Sequence, residues 1–336
     1  MKNKQWIYRQ RPETVVGIEH YELITQPIPT ELAKNEVLIE AKYISVDPYM
    51  RIQQSNNPTW EAPHPLNCVQ GASVVGIVLK SNSAAFNEND WVSAYSGWQT
   101  HATVHASELT KLDPRQASVT TALGVLGMPG RTAWFGLTEA GKPKAGETVI
   151  VSGASGAVGS LVVQFAKFHG AKVIAISGSD EKNKWLIDEL NVDYALNYKK
   201  FDFHSLTNQL REISQGVDVY FDNVGGWITD AVIPQINRRA RIIICGQISQ
   251  YNGALDKVEN GPRFLHHLLY QRATIQGILS RDYIHRHDEM LRIVIPMLKN
   301  GLLKYQETII NGFEQLPQAL NMLFTGKNIG KLIVKV

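Results

Sequence analysis

The sequence contains little cysteine, with only Cys68 and Cys245 among its 336 residues. Two cysteines cannot build a disulfide framework or the four-cysteine site that holds structural zinc. This cysteine usage is typical of a reducing compartment, so we expect a cytoplasmic protein.

Long apolar runs and a strong net charge are also missing. No run of about 18 apolar residues occurs, which excludes a membrane-spanning helix, and no apolar region of a secretory signal follows Met1–Trp6. The net charge is +3, and the densest basic cluster, Asn237–Arg241, is short. Nucleic-acid binding depends on a basic patch, so we expect no nucleic-acid partner and no membrane partner.

The length fits about two domains. Up to residue 128 the chain consists of short strand patterns broken by Pro, Gly and Asn, for example at 36–41, 73–79 and 91–95. Short strands with frequent turn signals predict a barrel-like β domain.

From residue 129 onwards, strand and helix patterns alternate. Apolar strands are predicted at 148–152, 172–177, 217–222 and 241–246, with helices at 160–170 and 181–190. This alternation predicts an α/β fold with a doubly wound parallel sheet. We expect this domain to cover 129–300, and we expect 301–336, which ends in a strand, to return to the first domain.

A glycine-rich turn, Gly153–Gly159, lies between the strand at 148–152 and a helix expected to begin near Ala157. Glycines allow the backbone to approach a diphosphate closely, and the helix N-terminus attracts the anion. Ala154 breaks the usual G-x-G-x-x-G pattern, and the glycines could serve only close packing of helix on strand. The strand–turn–helix–strand order favours a dinucleotide site.

The end of the second strand indicates which dinucleotide binds. NAD enzymes usually place an acid there for the ribose 2′-hydroxyl, whereas this strand ends in Ser177, Gly178 and Ser179. A neutral strand end followed by Lys182 favours NADPH, although Asp180 and Glu181 lie close by.

A catalytic zinc needs three protein ligands, and the sequence shows no convincing set. The segment after Cys68 carries Ala72 and Ser73 where zinc alcohol dehydrogenases carry a His-Glu pair. We therefore expect no metal, and without one the chemistry shifts towards hydride transfer onto an electron-poor C=C bond.

Eight motifs occur in order along the chain. They are Ser45–Arg51, Gly127–Ala133, Gly156–Gly159, Gly178–Lys182, Asn197–Lys199, Tyr220–Gly226, Cys245–Asn252 and Gly326–Lys331. Together they resemble the zinc-independent medium-chain dehydrogenase/reductases, in the leukotriene B4 dehydrogenase, prostaglandin reductase and alkenal-one reductase group. Residues 95–99 and 276–286 are most similar to the bacterial NADPH-dependent curcumin reductases.

The resemblance implies a GroES-like β-barrel domain, a Rossmann domain and a homodimer. It implies that Gly156, Ala157, Val158 and Gly159 hold the diphosphate of NADPH and that Lys182 and Tyr198 meet its 2′-phosphate. The residues that it places along the ribose and nicotinamide are Asn223, Cys245, Gly246, Ile248, Ser249, Tyr251, Ile278, Leu279, Ser280 and Asn328. Departures at Arg131, Trp134, Gln247 and Ser280 concern the substrate rather than the reaction.

The activity that we expect is reduction of the C=C bond of an α,β-unsaturated ketone or aldehyde. Tyr49 and Tyr251 are the predicted catalytic donors to the negative charge on the carbonyl oxygen. Alternatively, Tyr49 packs at a turn and Tyr251 lies in a surface loop. A quinone reductase, a non-enzymatic NADPH-binding protein and, more distantly, a zinc alcohol dehydrogenase remain alternative functions.

Overall fold

The computed structural model describes residues 2–29, 31–56, 58–253 and 260–336. The chain forms two compact units, one comprising Met1–Gly124 with Glu307–Val336 and the other Val125–Gln306. We call them unit 1 and unit 2.

Unit 1 is built mainly from antiparallel strands. Its strands are β1 (Lys2–Tyr8), β2 (Tyr21–Pro27), β3 (Glu36–Ser45), β4 (Cys68–Val69), β5 (Val74–Ser81), β6 (Trp91–Ala94), β7 (His101–His105), β8 (Thr110–Leu112), β15 (Glu307–Asn311) and β16 (Lys331–Lys335), and its helices are α1 (Tyr49–Gln53) and α9 (Leu316–Thr325). One sheet has the order β15-β16-β3-β5-β6-β8 with β7 paired to β3, and a smaller sheet has the order β2-β1-β4.

Unit 2 contains a parallel sheet with the strand order β11-β10-β9-β12-β13-β14. Its strands are β9 (Thr148–Ser152), β10 (Lys172–Ser177), β11 (Tyr194–Asn197), β12 (Val217–Asp222), β13 (Ile236–Ile244) and β14 (Thr274–Gly277), and its helices are α2 (Met128–Phe135), α3 (Gly159–Phe168), α4 (Asp180–Asp188), α5 (Phe203–Ser214), α6 (Gly226–Val232), α7 (Leu265–Gln271) and α8 (His287–Lys299). The predicted α/β fold class with a doubly wound parallel sheet is confirmed.

Both faces of this parallel sheet are covered by apolar side chains. In β9, Val149 and Val151 belong to one buried cluster, whereas Ile150 belongs to a second. In β10, Ala175 and Ile176 are divided between the clusters in the same way. Alternate side chains of a strand point to opposite faces, so this division explains why these strands are apolar throughout.

The chain changes unit at 124/125 and 306/307, whereas the sequence placed the domain limits at 128/129 and 300/301. Val125 is buried in the unit 2 core, and a Cβ on Gly130 would lie 1.9 Å from its carbonyl oxygen. At the other limit, Leu303 belongs to the same core, and the backbone N–H of Lys304 donates to Gln164 Oε1 at 2.8 Å. These contacts extend unit 2 at both ends.

Candidate functional site

The candidate site residues of unit 2 follow the carboxyl ends of its parallel strands. The glycine turn follows β9, Lys182 lies beyond β10, and Tyr198 comes after β11. Asn223 follows β12, the segment 245–251 follows β13, and 278–280 follows β14. All these strands are parallel, so their ends meet at one edge of the sheet, which is where ligands bind in open α/β sheets.

The glycine turn brings the start of α3 against the end of β9. Gly153 has a φ of +58°, a backbone region that favours glycine. A Cβ on Gly159 would lie 2.3 Å from the carbonyl oxygen of Gly153, so this close approach also requires glycine. The helix begins at Gly159 rather than near Ala157 because the turn occupies the preceding residues. The result is a backbone cradle at a helix N-terminus, which fits an anionic diphosphate.

Asp222 organises the turn after β12, and our sequence analysis missed it. The residue is 1% exposed, and its Oδ1 accepts hydrogen bonds from Ser152 Oγ at 2.8 Å, Val224 N at 3.0 Å and Gly225 N at 2.9 Å. Its buried carboxylate is thus satisfied by neutral donors. The available signal was an acid at the end of an apolar strand.

Asn223 lies against the glycine turn. Its Nδ2 donates to the carbonyl oxygen of Ser152 at 2.7 Å, and a Cβ on Gly153 would lie 3.3 Å from its own Cβ. The structure therefore brings together Asn223 and the diphosphate cradle, which the sequence predicted as two parts of one site.

The segment after β13 holds Tyr251 in a confined position. The backbone N–H of Gln247 donates to its hydroxyl oxygen at 2.9 Å, and a Cβ on Gly246 would lie 2.9 Å from that oxygen. Burial raises the pKa of Tyr251 to about 12 and that of the Cys245 thiol to about 12. Tyr251 is 8% exposed, so it is not a surface loop tyrosine, and it keeps its proton as a potential donor.

Two further residues of this segment hold its path next to β12. The backbone N–H of Ile248 donates to the carbonyl oxygen of Asn223 at 3.4 Å, and that of Ser249 donates to Val224 at 3.1 Å. The segment is thus tied to the same turn that Asp222 organises.

A basic corner lies at the ends of β10 and β11. A Cβ on Gly178 would lie 3.2 Å from the ring of Tyr198 and 3.7 Å from the side chain of Lys199. The N–H of Lys182 donates to Ser179 Oγ at 3.2 Å, which caps α4. Burial, together with the charge of Lys199, lowers the pKa of Lys182. Lys199 therefore joins the predicted pair Lys182 and Tyr198, and this donor set fits a phosphate.

The residues after β14 face different surroundings from one another. Ile278 is buried, and its Cδ1 would lie 3.0 Å from a Cβ on Gly136, so its side chain belongs to the core. Leu279 directly precedes a short 3₁₀ segment. Ser280 Oγ accepts a hydrogen bond from Arg131 Nε at 2.8 Å. Two sequence departures from the family, Arg131 and Ser280, are therefore direct partners.

Tyr49 and Asn328 belong to unit 1. Tyr49 is the first residue of α1 and is half-buried against the apolar core, while Asn328 Nδ2 donates to the carbonyl oxygen of Gly330 at 3.1 Å. Burial, followed by the neighbouring Tyr95, raises the pKa of Tyr49 well above its usual range. The sequence singled out Tyr49 but not its partner Tyr95.

Neither a metal cluster nor a bilayer-spanning helix is found in the described ranges of the chain. Across 2–29, 31–56, 58–253 and 260–336, no three His, Cys, Asp or Glu side chains are grouped to hold a metal ion. No helix in those ranges combines the length and apolar character that crossing a bilayer requires. The absence of a metal from the reaction stays a prediction.

Comparison with known proteins gives matches over nearly the whole chain. Residues 4–112 match the family model for the N-terminal domain of oxidoreductase, and residues 157–298 match the model for zinc-binding dehydrogenase. The NADPH-dependent curcumin reductase of Escherichia coli is 36% identical over 100% of this chain and 97% of that protein. The NADP-dependent 2-alkenal reductase of Nicotiana tabacum is 38% identical over 93% of this chain and 91% of that protein.

Solved structures agree with these relatives. The crystal structure of CurA from Vibrio vulnificus in complex with NADPH is 36% identical, with a TM-score of 0.92 over 99% of each chain. The family resemblance inferred from the eight motifs is confirmed. The chain belongs to the medium-chain dehydrogenase/reductase family, in the group that contains the curcumin, 2-alkenal and prostaglandin reductases.

Proposed function

We propose that this protein is an NADPH-dependent reductase of the C=C bond in α,β-unsaturated ketones and aldehydes. The observation that carries the proposal is one sheet edge with a glycine cradle, a basic corner and a buried tyrosine. The relatives named as curcumin and 2-alkenal reductases support the same reaction class.

The cofactor is held by residues of unit 2. Gly156, Ala157, Val158 and Gly159 bind the diphosphate at the start of α3, where backbone N–H groups and the helix dipole favour an anion. Lys182, Lys199 and Tyr198 bind the 2′-phosphate. When bound, NADPH supplies the hydride that the β-carbon of the substrate accepts.

The remaining cofactor contacts come from the other strand ends and from unit 1. Along the ribose and nicotinamide we propose Asn223, Cys245, Gly246, Ile248, Ser249, Tyr251, Ile278, Leu279, Ser280 and Asn328. Because the Ile278 side chain is packed in the core, its contribution comes from its backbone.

Two tyrosines act on the substrate. As the β-carbon is reduced, negative charge develops on the carbonyl oxygen, and a hydroxyl donor placed there stabilises the transition state. Tyr251 and Tyr49 supply such donors, and both keep their protons at neutral pH because burial raises the pKa of each. The α-carbon then receives a proton from a tyrosine hydroxyl or from water.

The test is NADPH oxidation with an alkenal, an aryl enone, curcumin and a quinone, and with NADH as the control cofactor. We expect turnover on the enones and the alkenal, with NADPH preferred. Much faster turnover on the quinone would favour a quinone reductase. Tight NADPH binding without turnover on any acceptor would favour a non-enzymatic binding protein, and tightly bound stoichiometric zinc would favour a zinc alcohol dehydrogenase.

We also propose a homodimer in the cytoplasm. The edge strand β14 is exposed along its length, and the preceding helix α7 exposes Leu265, Leu269 and Tyr270. An uncovered strand edge beside apolar side chains is suited to pairing with a second copy. Sedimentation analysis of the purified protein tests the dimer, and a monomer would contradict it.

A further inference from the structure

Tyr95, in the loop after β6, combines an exposed ring with a confined hydroxyl group. The residue is 56% exposed, yet a Cβ on Gly71 would lie 2.6 Å from its Oη. That distance is too short for two non-bonded atoms, so glycine at 71 leaves the room that this hydroxyl occupies.

The hydroxyl is held there by two side chains of α1. It is hydrogen-bonded to Tyr49 and to Gln53, the first and last residues of that helix. Residues four apart lie on the same face of a helix, so α1 presents both partners to Tyr95 together.

Gln53 sets the direction of these hydrogen bonds. Its Nε2 donates to Glu61 Oε1, whereas its Oε1 is buried and has no hydrogen-bond partner among the described residues. Gln53 therefore meets Tyr95 through its amide N–H, and the Tyr95 oxygen accepts. The single proton of Tyr95 can then be donated to Tyr49, which keeps its own proton for another acceptor.

We propose that Tyr95 is a positioning residue for Tyr49, to whose oxygen it donates a hydrogen bond that stabilises developing negative charge there. The inference rests on the proposed function. In the proton-transfer step the O–H bond of Tyr49 breaks, its proton passes to the α-carbon of the substrate, and the electron pair stays on the Tyr49 oxygen. Tyr95 then passes its proton to Tyr49 and takes one from water, which restores both hydroxyl groups.

The proposal predicts that Tyr95→Phe acts through Tyr49. Enone reduction with NADPH is compared in the wild type, Tyr95→Phe, Tyr49→Phe and the double variant. Tyr95→Phe should lower kcat by about tenfold to a hundredfold, the effect of one hydrogen bond to a charged group, with KM nearly unchanged. In the Tyr49→Phe background the same change should alter kcat by less than about twofold, since the charge that it stabilises is gone.

Two further variants guard against a purely structural effect. Tyr194→Phe, a partly exposed tyrosine of β11, is the matched control and should leave kcat unchanged. Gly71→Ala places a Cβ against the Tyr95 hydroxyl while keeping both tyrosines, and it should lower kcat as Tyr95→Phe does. An equal loss from Tyr95→Phe with and without Tyr49, or no loss at all, would overturn the proposal.

A readout that does not need activity separates this inference from the proposed function. In NMR spectra of isotope-labelled tyrosine at neutral pH, Tyr95→Phe should shift the hydroxyl-bearing ring carbon of Tyr49, and Tyr194→Phe should not. An unchanged Tyr49 resonance would refute the hydrogen bond. A wild type that reduces no enone would refute the proposed function, and the NMR result would still decide the pairing of Tyr95 with Tyr49.

Discussion

Individual side chains at the sheet edge of unit 2 have their protonation set by burial. Tyr251 is enclosed by Gly246 and Gln247, and its pKa of about 12 means that the phenol stays protonated through the alkaline range in which an ordinary tyrosine ionises. Lys182 is shifted downwards, because burial and Lys199 both disfavour its charge. A bound phosphate would offset both effects.

Replacing Tyr251 with Phe removes the proposed donor and keeps the ring. We expect kcat for enone reduction to fall by about a hundredfold to a thousandfold, as for loss of one oxyanion donor. In the wild type, ionisation of Tyr251 should produce no loss of kcat up to about pH 10, where an unperturbed tyrosine would titrate. A pH profile measures this, and unchanged turnover in the variant would remove Tyr251 from the mechanism.

Lys182→Met should weaken NADPH binding selectively. We expect the KM for NADPH to rise by about tenfold to a hundredfold, the effect of losing one charged contact to the 2′-phosphate, while the KM for NADH changes little. Lys184→Met is the matched control, because Lys184 lies on the same helix and pairs with Asp188 at the surface. A parallel rise for NADPH and NADH would argue against a 2′-phosphate contact.

At the scale of elements, the structure depends on how closely α3 approaches the end of β9. The glycine turn brings the helix N-terminus to the strand end, and Asp222 holds the neighbouring turn after β12 in register with it. Capping and strand order then place the basic corner at the adjacent strand ends. The cofactor site thus consists of loops whose positions follow from the parallel sheet.

Gly159→Ala tests this close approach. The added methyl group would lie 2.3 Å from the Gly153 oxygen, so we expect the free energy of unfolding to fall by about 1–3 kcal/mol and NADPH binding to weaken. Gly277→Ala is the control, since a Cβ there meets nothing within 4 Å. Chemical denaturation and NADPH titration measure both effects, and equal behaviour of the two variants would contradict the expectation.

On the scale of the whole molecule, the last residues of the chain complete unit 1. Strand β16 pairs with β3 through Ile333 and Ser45. Beside this pairing, Lys331 Nζ donates to Asp47 Oδ1 at 2.9 Å and to the carbonyl oxygen of Val46 at 2.7 Å. Both charged side chains are buried, which makes this ion pair expensive to break.

Lys331→Met should destabilise unit 1 strongly. It leaves the Asp47 carboxylate buried without its cation, which typically costs about 3–5 kcal/mol of unfolding free energy. Lys4→Met is the matched control, because Lys4 pairs with Glu314 at the exposed surface, where such pairs contribute about 0–1 kcal/mol. Adding Asp47→Asn to Lys331→Met should recover part of the loss in denaturant unfolding, and no recovery would contradict the buried-charge explanation.

Local patterns predicted unit 2 well. The strands at 148–152, 172–177 and 217–222 agree with β9, β10 and β12, because a fully buried parallel strand is apolar at every position. Helix limits were less accurate, as the start of α3 at Gly159 shows. The site residues after the strand ends could be predicted because strand order determines which loops meet.

The sequence by itself determined the fold class, the dinucleotide turn and the family, since each depends on residues that are neighbours in the chain. Only the tertiary structure decided the partners of Tyr49, the buried role of Asp222 and the pairing of Asp47 with Lys331, which are 284 positions apart. These contacts join side chains from separate elements, and no local periodicity records which distant polar group will satisfy a buried one.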